Sequence, residues 1–199
     1  NGKEILENDA EGRLCIKYPW PSMARTIWGD HKRYKETYFS SFDNKYFTGD
    51  GSYRDKKGLY RITGRVDDVI IVSGHNLGTA PIEDAINEHN LVAESAIIGV
   101  PHDIKGNSLF GYVNLKDPSS ASLGESLKKE INQLISKQIG PIAKLDRIEF
   151  VSGLPKTRSG KIMRRILRKI AHNEIDSLGD TSTLLNPEIV DEIISKVLH

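Results

Sequence analysis

Apolar and polar positions fall into two grains along the chain. "RLCIKYPW" (13–20) alternates as a strand, with Leu14 and Ile16 on one face and Cys15 on the other. "PSMARTIWGDHKRYKETYF" is aromatic and basic and predicts a helix after Pro21. "YFTGDGSYRDKKGLYRITGR" (46–65) predicts an extended segment and then a hairpin turning at Lys57-Gly58. Asp67 and Asp68 interrupt the pattern, and Val69 to Val72 then predict a buried strand.

Beyond that break, helices and strands alternate. "TAPIEDAINEHN" reads as a helix, with Thr79 as N-cap, Pro81 in the first turn, and Glu83 and Asp84 favouring the positive end. "AESAIIGV" and "LFGYVNLK" read as strands. "SLGESLKKEINQLISKQIG" carries Leu123, Leu127, Ile131, Leu134, Ile135 and Ile139 on one helical stripe, stopped by Gly140 and Pro141. "DPSSAS" reads as a surface loop, "RIEFV" as a strand and "PEIVDEIISKVL" as a last helix. The pattern predicts a boundary near Asp67, with a compact α+β domain after it.

The densest chemistry lies in "LPKTRSGKIMRRILRKIA" (154–171). Seven cations stand between Lys156 and Lys169, and no Asp or Glu occurs between Phe150 and Asn173. On a helical wheel begun at Lys161, Ile162, Met163, Ile166, Leu167 and Ile170 face one way. Lys161, Arg164, Arg165, Arg168 and Lys169 face the other. A solvated face over a packed stripe accounts for most of this run. It leaves "KTRSGK" unexplained, where Thr157, Ser159 and Gly160 form a polar, flexible lead to Lys161. A phosphate-binding P-loop is excluded: Gly153 precedes Gly160 by seven residues where five are needed, and Ile162 follows Lys161 in place of Ser or Thr.

Overall charge narrows the alternatives. Lys plus Arg number 28 against 27 Asp plus Glu, a net +1, so the basic run is local. A basic module for RNA or an acidic partner would show a wider excess, and the interleaved residues are aliphatic, giving bases no platform to stack on. The chain is therefore expected to bind neither nucleic acid nor membrane. No apolar stretch reaches the ~18 residues a span needs. No charged segment followed by an apolar one opens the chain, and "NGKEILENDAEG" reads as the interior of a longer protein. Cys15, the only cysteine, fits a reducing, cytoplasmic compartment and reads as a bland thiol.

Several stretches together resemble one family. "YFTGD", "ITGRVDDVIIVSGH", "PHDIKG" and "LPKTRSGKIMRRILRKI", in this order and spacing, are similar to the carboxyl-terminal part of the AMP-forming acyl-CoA synthetases of the adenylate-forming superfamily. "WPSMARTIWGDHKRY" and "LGDTSTL" resemble the acetate-activating branch; propionate or another short acyl group is the alternative. The resemblance implies residues 1–66 as the β-rich end of a large amino-terminal domain. It implies residues 67–199 as a mobile carboxyl-terminal domain, a small mixed sheet with flanking helices, hinged at Asp67. The implied substrates are acetate, ATP with Mg2+, and coenzyme A, joined in two steps through an acyl-adenylate, leaving AMP and pyrophosphate.

Roles follow residue by residue from the resemblance. Lys161 would be the adenylation lysine, bridging two anions that repel. At ~4 Å and an effective dielectric near 20, one opposite charge is worth about 4 kcal/mol, on the order of a thousandfold in rate. Lys161 would also be a target of reversible acetylation, with a protein acetyltransferase and deacetylase as partners. Asp50 would accept from the ribose hydroxyls, and Arg65 would bind ribose or phosphate. Ser73 and Gly74 would flank the pantetheine arm, and His75 receives no firm role. A cation would fall weakly on Asn87, His89 and Val92. Two positions depart from the family: Asn76 and Ser136 stand where arginines for nucleotide and coenzyme A are usual. The family's phosphate loop, adenine site and acyl pocket are not among these residues, so the chain alone is expected to be inactive and to need its amino-terminal domain.

Overall fold

The computed structural model describes residues 2–198, which divide into two compact units, one ending at Val69 and the other starting at Ile70. In the first, β1 (Ala10–Ile16), β2 (Tyr46–Arg54) and β3 (Tyr60–Arg65) form an antiparallel sheet in that order. The β2–β3 turn runs from Asp55 to Leu59, where Gly58, at φ +82°, donates its N–H to Asp55. The helix expected after Pro21 is shorter: α1 covers only His31–Phe39, because Gly29 at φ +72° breaks the chain and Asp30 caps Arg33 N–H at 3.0 Å. Among the described residues of this unit only Tyr34 and Ser52 are buried.

The second unit is a mixed five-stranded sheet between two helical layers, the α+β arrangement expected. Its strands are β4 (Ile70–Val72), β5 (His75–Leu77), β6 (Val92–His102), β7 (Gly106–Leu115) and β8 (Arg147–Val151). The order is β5-β4-β7-β6, with β8 parallel to β7 and all other pairs antiparallel. Helices α2 (Thr79–Asn87) and α3 (Glu125–Gln138) cover one face, burying Ile82, Ile86, Leu127, Ile131 and Ile135 against Ile97, Leu109 and Val113. Helices α4 (Arg164–Ala171) and α5 (Glu188–Leu198) cover the other, burying Ile166, Leu167, Ile170 and Ile193 against Ala96, Ile98, Phe110 and Tyr112. β6 and β7 therefore read as continuous apolar runs: both faces of each are covered. Gly111 makes room for Leu145, whose Cδ1 would lie 2.6 Å from an added Cβ.

Several local expectations change. Val69 to Val72 is not uniformly buried: Ile70 and Val72 point inward while Ile71 is exposed, the alternation of a half-covered strand. Gly78 occupies the cap of α2, and Thr79 is its first, buried residue. The stripe on α3 frays at both ends, leaving Leu123 and Ile139 exposed. Residues 118–123 form a 3-10 turn where a loop was expected, because Asp117 caps Ser119 N–H at 2.9 Å. Among the described residues, no helix is long and apolar enough to cross a membrane.

Candidate functional site

Register brings the first group together. Asp50 and Arg65 are direct partners across β2 and β3. Arg65 Nη1 lies 3.8 Å from Asp50 Oδ1 and donates to Thr48 O at 3.1 Å, while Nε donates to Asp67 Oδ1 at 3.0 Å. The Asp67 hydrogen bond outweighs partial burial and raises the guanidinium pKa further, so Arg65 is a permanent cation. Gly49, at φ +82°, leaves room for it: an added Cβ would sit 2.5 Å from Nη1. Among the described residues, Asp50 makes one loose ion pair and retains acceptor capacity.

In the second unit, Ser73 and Gly74 form the two-residue tip of the β4–β5 hairpin, between paired Val72 and His75. Both have positive φ, +48° and +81°, the signature of a type I′ turn. Gly74 has no atom within 4 Å of an added Cβ, so this tip is open. Ser73 N–H donates to Lys105 O at 2.8 Å. His75 Nδ1 is 3.2 Å from Ser73 O, a local contact within the turn. Asn76 is exposed on β5, and Ser136 is half-buried on the last turn of α3.

Asn87, His89 and Val92 do cluster, at the turn between α2 and β6. Asn87 Oδ1 accepts from Ser95 Oγ at 2.9 Å, His89 Nδ1 from Leu91 N–H at 3.3 Å, and His89 O from Val92 N–H at 2.9 Å. His89 Nε2 faces Glu130 at 3.6 Å. These acceptors are taken up within the turn itself. Among the described residues no group of three or more His, Cys, Asp or Glu is arranged to hold a metal.

Lys161 is not on a helix. It lies on the returning arm of a small hairpin, with Lys156 bridged to Ile162, and α4 starts three residues later at Arg164. The "TRSG" tip is a hydrogen-bonded turn where a flexible lead was expected. Gly160 N–H donates to Thr157 O at 2.8 Å, Thr157 N–H to Lys161 O at 2.9 Å, and Lys161 N–H to Thr157 Oγ1 at 3.1 Å. Gly160 at φ +84° closes it.

The other cations of the run serve the fold. Lys156 meets Glu94 at 2.6 Å; Arg164 makes a forked pair with Glu83 at 3.2 and 2.5 Å; Arg165 donates to Leu178 O at 3.0 Å and Lys169 to Ser177 O. Arg168 is also engaged. Among the described residues, Arg158 and Lys161 alone of the seven have side chains without a protein partner, and both are exposed at the tip. Glu83, expected to favour the positive end of α2, instead turns its carboxylate to accept from Ile97 N–H at 2.8 Å and from Arg164. Sequence reasoning missed Glu94 and Asn186 as well, since their partners are remote in the chain.

Residues 81–161 match the AMP-binding enzyme C-terminal domain. More narrowly, the chain is similar to acetyl-coenzyme A synthetases. It is 59% identical to that of Alkalilimnicola ehrlichii over 97% of this chain, and 58% identical to that of Marinobacter nauticus over 98%. The chain spans about 30% of the length of these relatives. Its fold matches acetoacetyl-CoA synthetase from Streptomyces lividans at a TM-score of 0.79 and 24% identity, over 95% of this chain and 28% of that one. An amide bond synthetase from Marinactinospora thermotolerans matches at 0.71 and 24%, over 83% and 32%.

Proposed function

We propose that this chain is part of an AMP-forming acetate–CoA ligase. An acetate oxygen attacks the α-phosphorus of ATP, and the bond to the bridging oxygen breaks to release pyrophosphate. The sulfur of coenzyme A then attacks the acyl carbon of acetyl-adenylate, loses its proton, and displaces AMP. The observation that carries this reading is the 59% identity to an acetyl-coenzyme A synthetase along 97% of the chain.

Lys161 is the adenylation lysine in this reading. Its ammonium has no protein partner among the described residues and is offered from a pinned turn, as a cation meant for an external anion should be. Asp50 and Arg65 hold the ribose and phosphate end of the nucleotide, and Asn76 offers one hydrogen bond there without charge. Ser73 and Gly74 form the open tip along which pantetheine runs, and Ser136 with Lys137 lies toward the coenzyme A nucleotide. Asp67 is the hinge between residues 1–66 and 67–199, turning the second region between the two steps. Mg2+ would accompany the ATP phosphates and temper their charge. A cation at the Asn87, His89 and Val92 turn would be structural only. The remaining partner is the larger amino-terminal part of the enzyme, which carries the acyl pocket. The compartment is the cytoplasm. Acetylation of Lys161 by a protein acetyltransferase would remove the charge and stop the first step, and a deacetylase would restore it.

The test is Lys161→Ala in the complete enzyme, with the half-reactions measured apart. Acetate-dependent pyrophosphate exchange falls on the order of a thousandfold, while thioester formation from supplied acetyl-adenylate persists. Normal exchange would overturn the assignment. Mass spectrometry that finds Lys161 unmodified under every growth condition would remove the acetylation proposal.

A further inference from the structure

The hairpin that carries Lys161 is gripped at its base from other parts of the fold, and we propose that Glu94 and Asn186 are positioning residues for that lysine. The inference rests on the role given to Lys161 above. Lys156 is where the grips meet. Its N–H donates to Asn186 Oδ1 at 3.2 Å, its carbonyl accepts from Leu185 N–H at 2.8 Å, and its ammonium meets Glu94 Oε2 at 2.6 Å. Asn186 Nδ2 also donates to Leu154 O at 3.0 Å. One side-chain amide thus serves two arm residues much as a neighbouring strand would.

Motion at Lys156 is transmitted to Lys161. The two arms are coupled by the Lys156–Ile162 bridge, by Thr157 N–H to Lys161 O, and by Met163 N–H to Pro155 O at 2.8 Å. Beyond the returning arm, the Arg164–Glu83 pair fixes the start of α4. The Lys156–Glu94 pair is about three-quarters shielded, 26% and 24% exposed. A shielded ion pair is a weak stabiliser compared with apolar packing of similar volume, but it defines direction and distance closely. Glu94 stands on β6, where it is in register with Asn114 of β7, so the pair refers the lysine tip to the sheet.

The experiment uses the complete enzyme and compares Glu94→Lys, Lys156→Glu, the exchanged pair of both, and Asn186→Asp. Each single variant lowers kcat of the adenylation step on the order of tenfold or more, as misplacement by about an ångström does. KM for ATP and thioester formation from supplied acetyl-adenylate stay as in the parent. The exchanged pair recovers most of the loss. Hydrogen exchange in a peptide covering 154–163 rises in the single variants and falls back in the exchanged pair. Glu94→Gln, which keeps shape and removes charge, replaces any single variant that does not fold. Unchanged adenylation in the single variants, with Lys161→Ala still inactive, overturns the proposal and spares the role of Lys161. Equal losses in both half-reactions, or no recovery on exchange, also overturn it. Normal adenylation in Lys161→Ala would sink the underlying reading instead.

Discussion

Two single residues carry more of the fold than their size suggests. An added Cβ on Gly111 would meet Leu145 Cδ1 at 2.6 Å and Ile97 Cδ1 at 3.2 Å. Gly111→Ala should therefore destabilise the chain by about 1–3 kcal/mol through overpacking, read as a lower urea midpoint with unchanged slope. Arg164→Met should leave the Glu83 carboxylate, whose side chain is 10% exposed, without its charge partner. Stranding a buried charge costs about 3–5 kcal/mol, and adding Glu83→Gln should recover part of it in the same titration. At this scale, the sequence singled out Lys161 but not its setting. The "KTRSGK" spacing singles out the lysine, yet a wheel drawn through it puts it on a helix. Ile162 and Met163 continue the amphipathic pattern although they lie on a hairpin arm, and periodicity alone does not separate the two. That Lys156 and Arg164 are spent on Glu94 and Glu83 was not legible, because those contacts span 62 and 81 residues.

At the scale of elements, β6, β7, α3 and α5 were legible from apolar pattern and length alone. What failed were ends and caps, where one hydrogen bond decides. Asp30 shortens α1, and Gly78 displaces Thr79 from the cap of α2. The last helix offers a test by pH. On α5, Glu192 accepts from Ser152 N–H at 3.1 Å, from Ser152 Oγ, and from Lys196 at 2.9 Å. Burial pushes its pKa up, but the hydrogen bonds from Ser152 and Lys196 outweigh this and hold it below its ordinary 4.5. A depressed folded pKa contributes stability that is present above 4.5 and is lost as pH falls through the folded value. The stability gap between the parent and Glu192→Gln should therefore be widest near neutrality and shrink on acidification. Urea titrations from neutral pH down to about pH 3 read it, and a gap that does not change with pH would contradict the assignment.

At the scale of the molecule, the two units differ in how much each covers. The second has two apolar layers about its sheet, whereas the first exposes Ile5, Leu6, Ile16, Tyr18, Trp28, Leu59, Tyr60 and Ile62. A unit that small with so little buried gains little from folding alone. Amide exchange on the chain by itself should be fast through residues 2–69 and slow in β6 and β7. The same chain should make no acetyl-CoA from acetate, ATP and coenzyme A, and measurable turnover would contradict the proposed division of labour. Of the seven cations between Lys156 and Lys169, most are engaged within the fold.

The pinned turn at Thr157–Lys161 has an entropic consequence. Ordering a loose tetrapeptide would cost roughly 1–2 kcal/mol per residue at the moment an anion is engaged. Here the backbone is already fixed by three hydrogen bonds, so only the rotamers of one aliphatic stem remain to be frozen, at up to about 2 kcal/mol. In the role proposed for Lys161, the side chain would be withdrawn and offered again many times, with the same small entropic cost on each cycle.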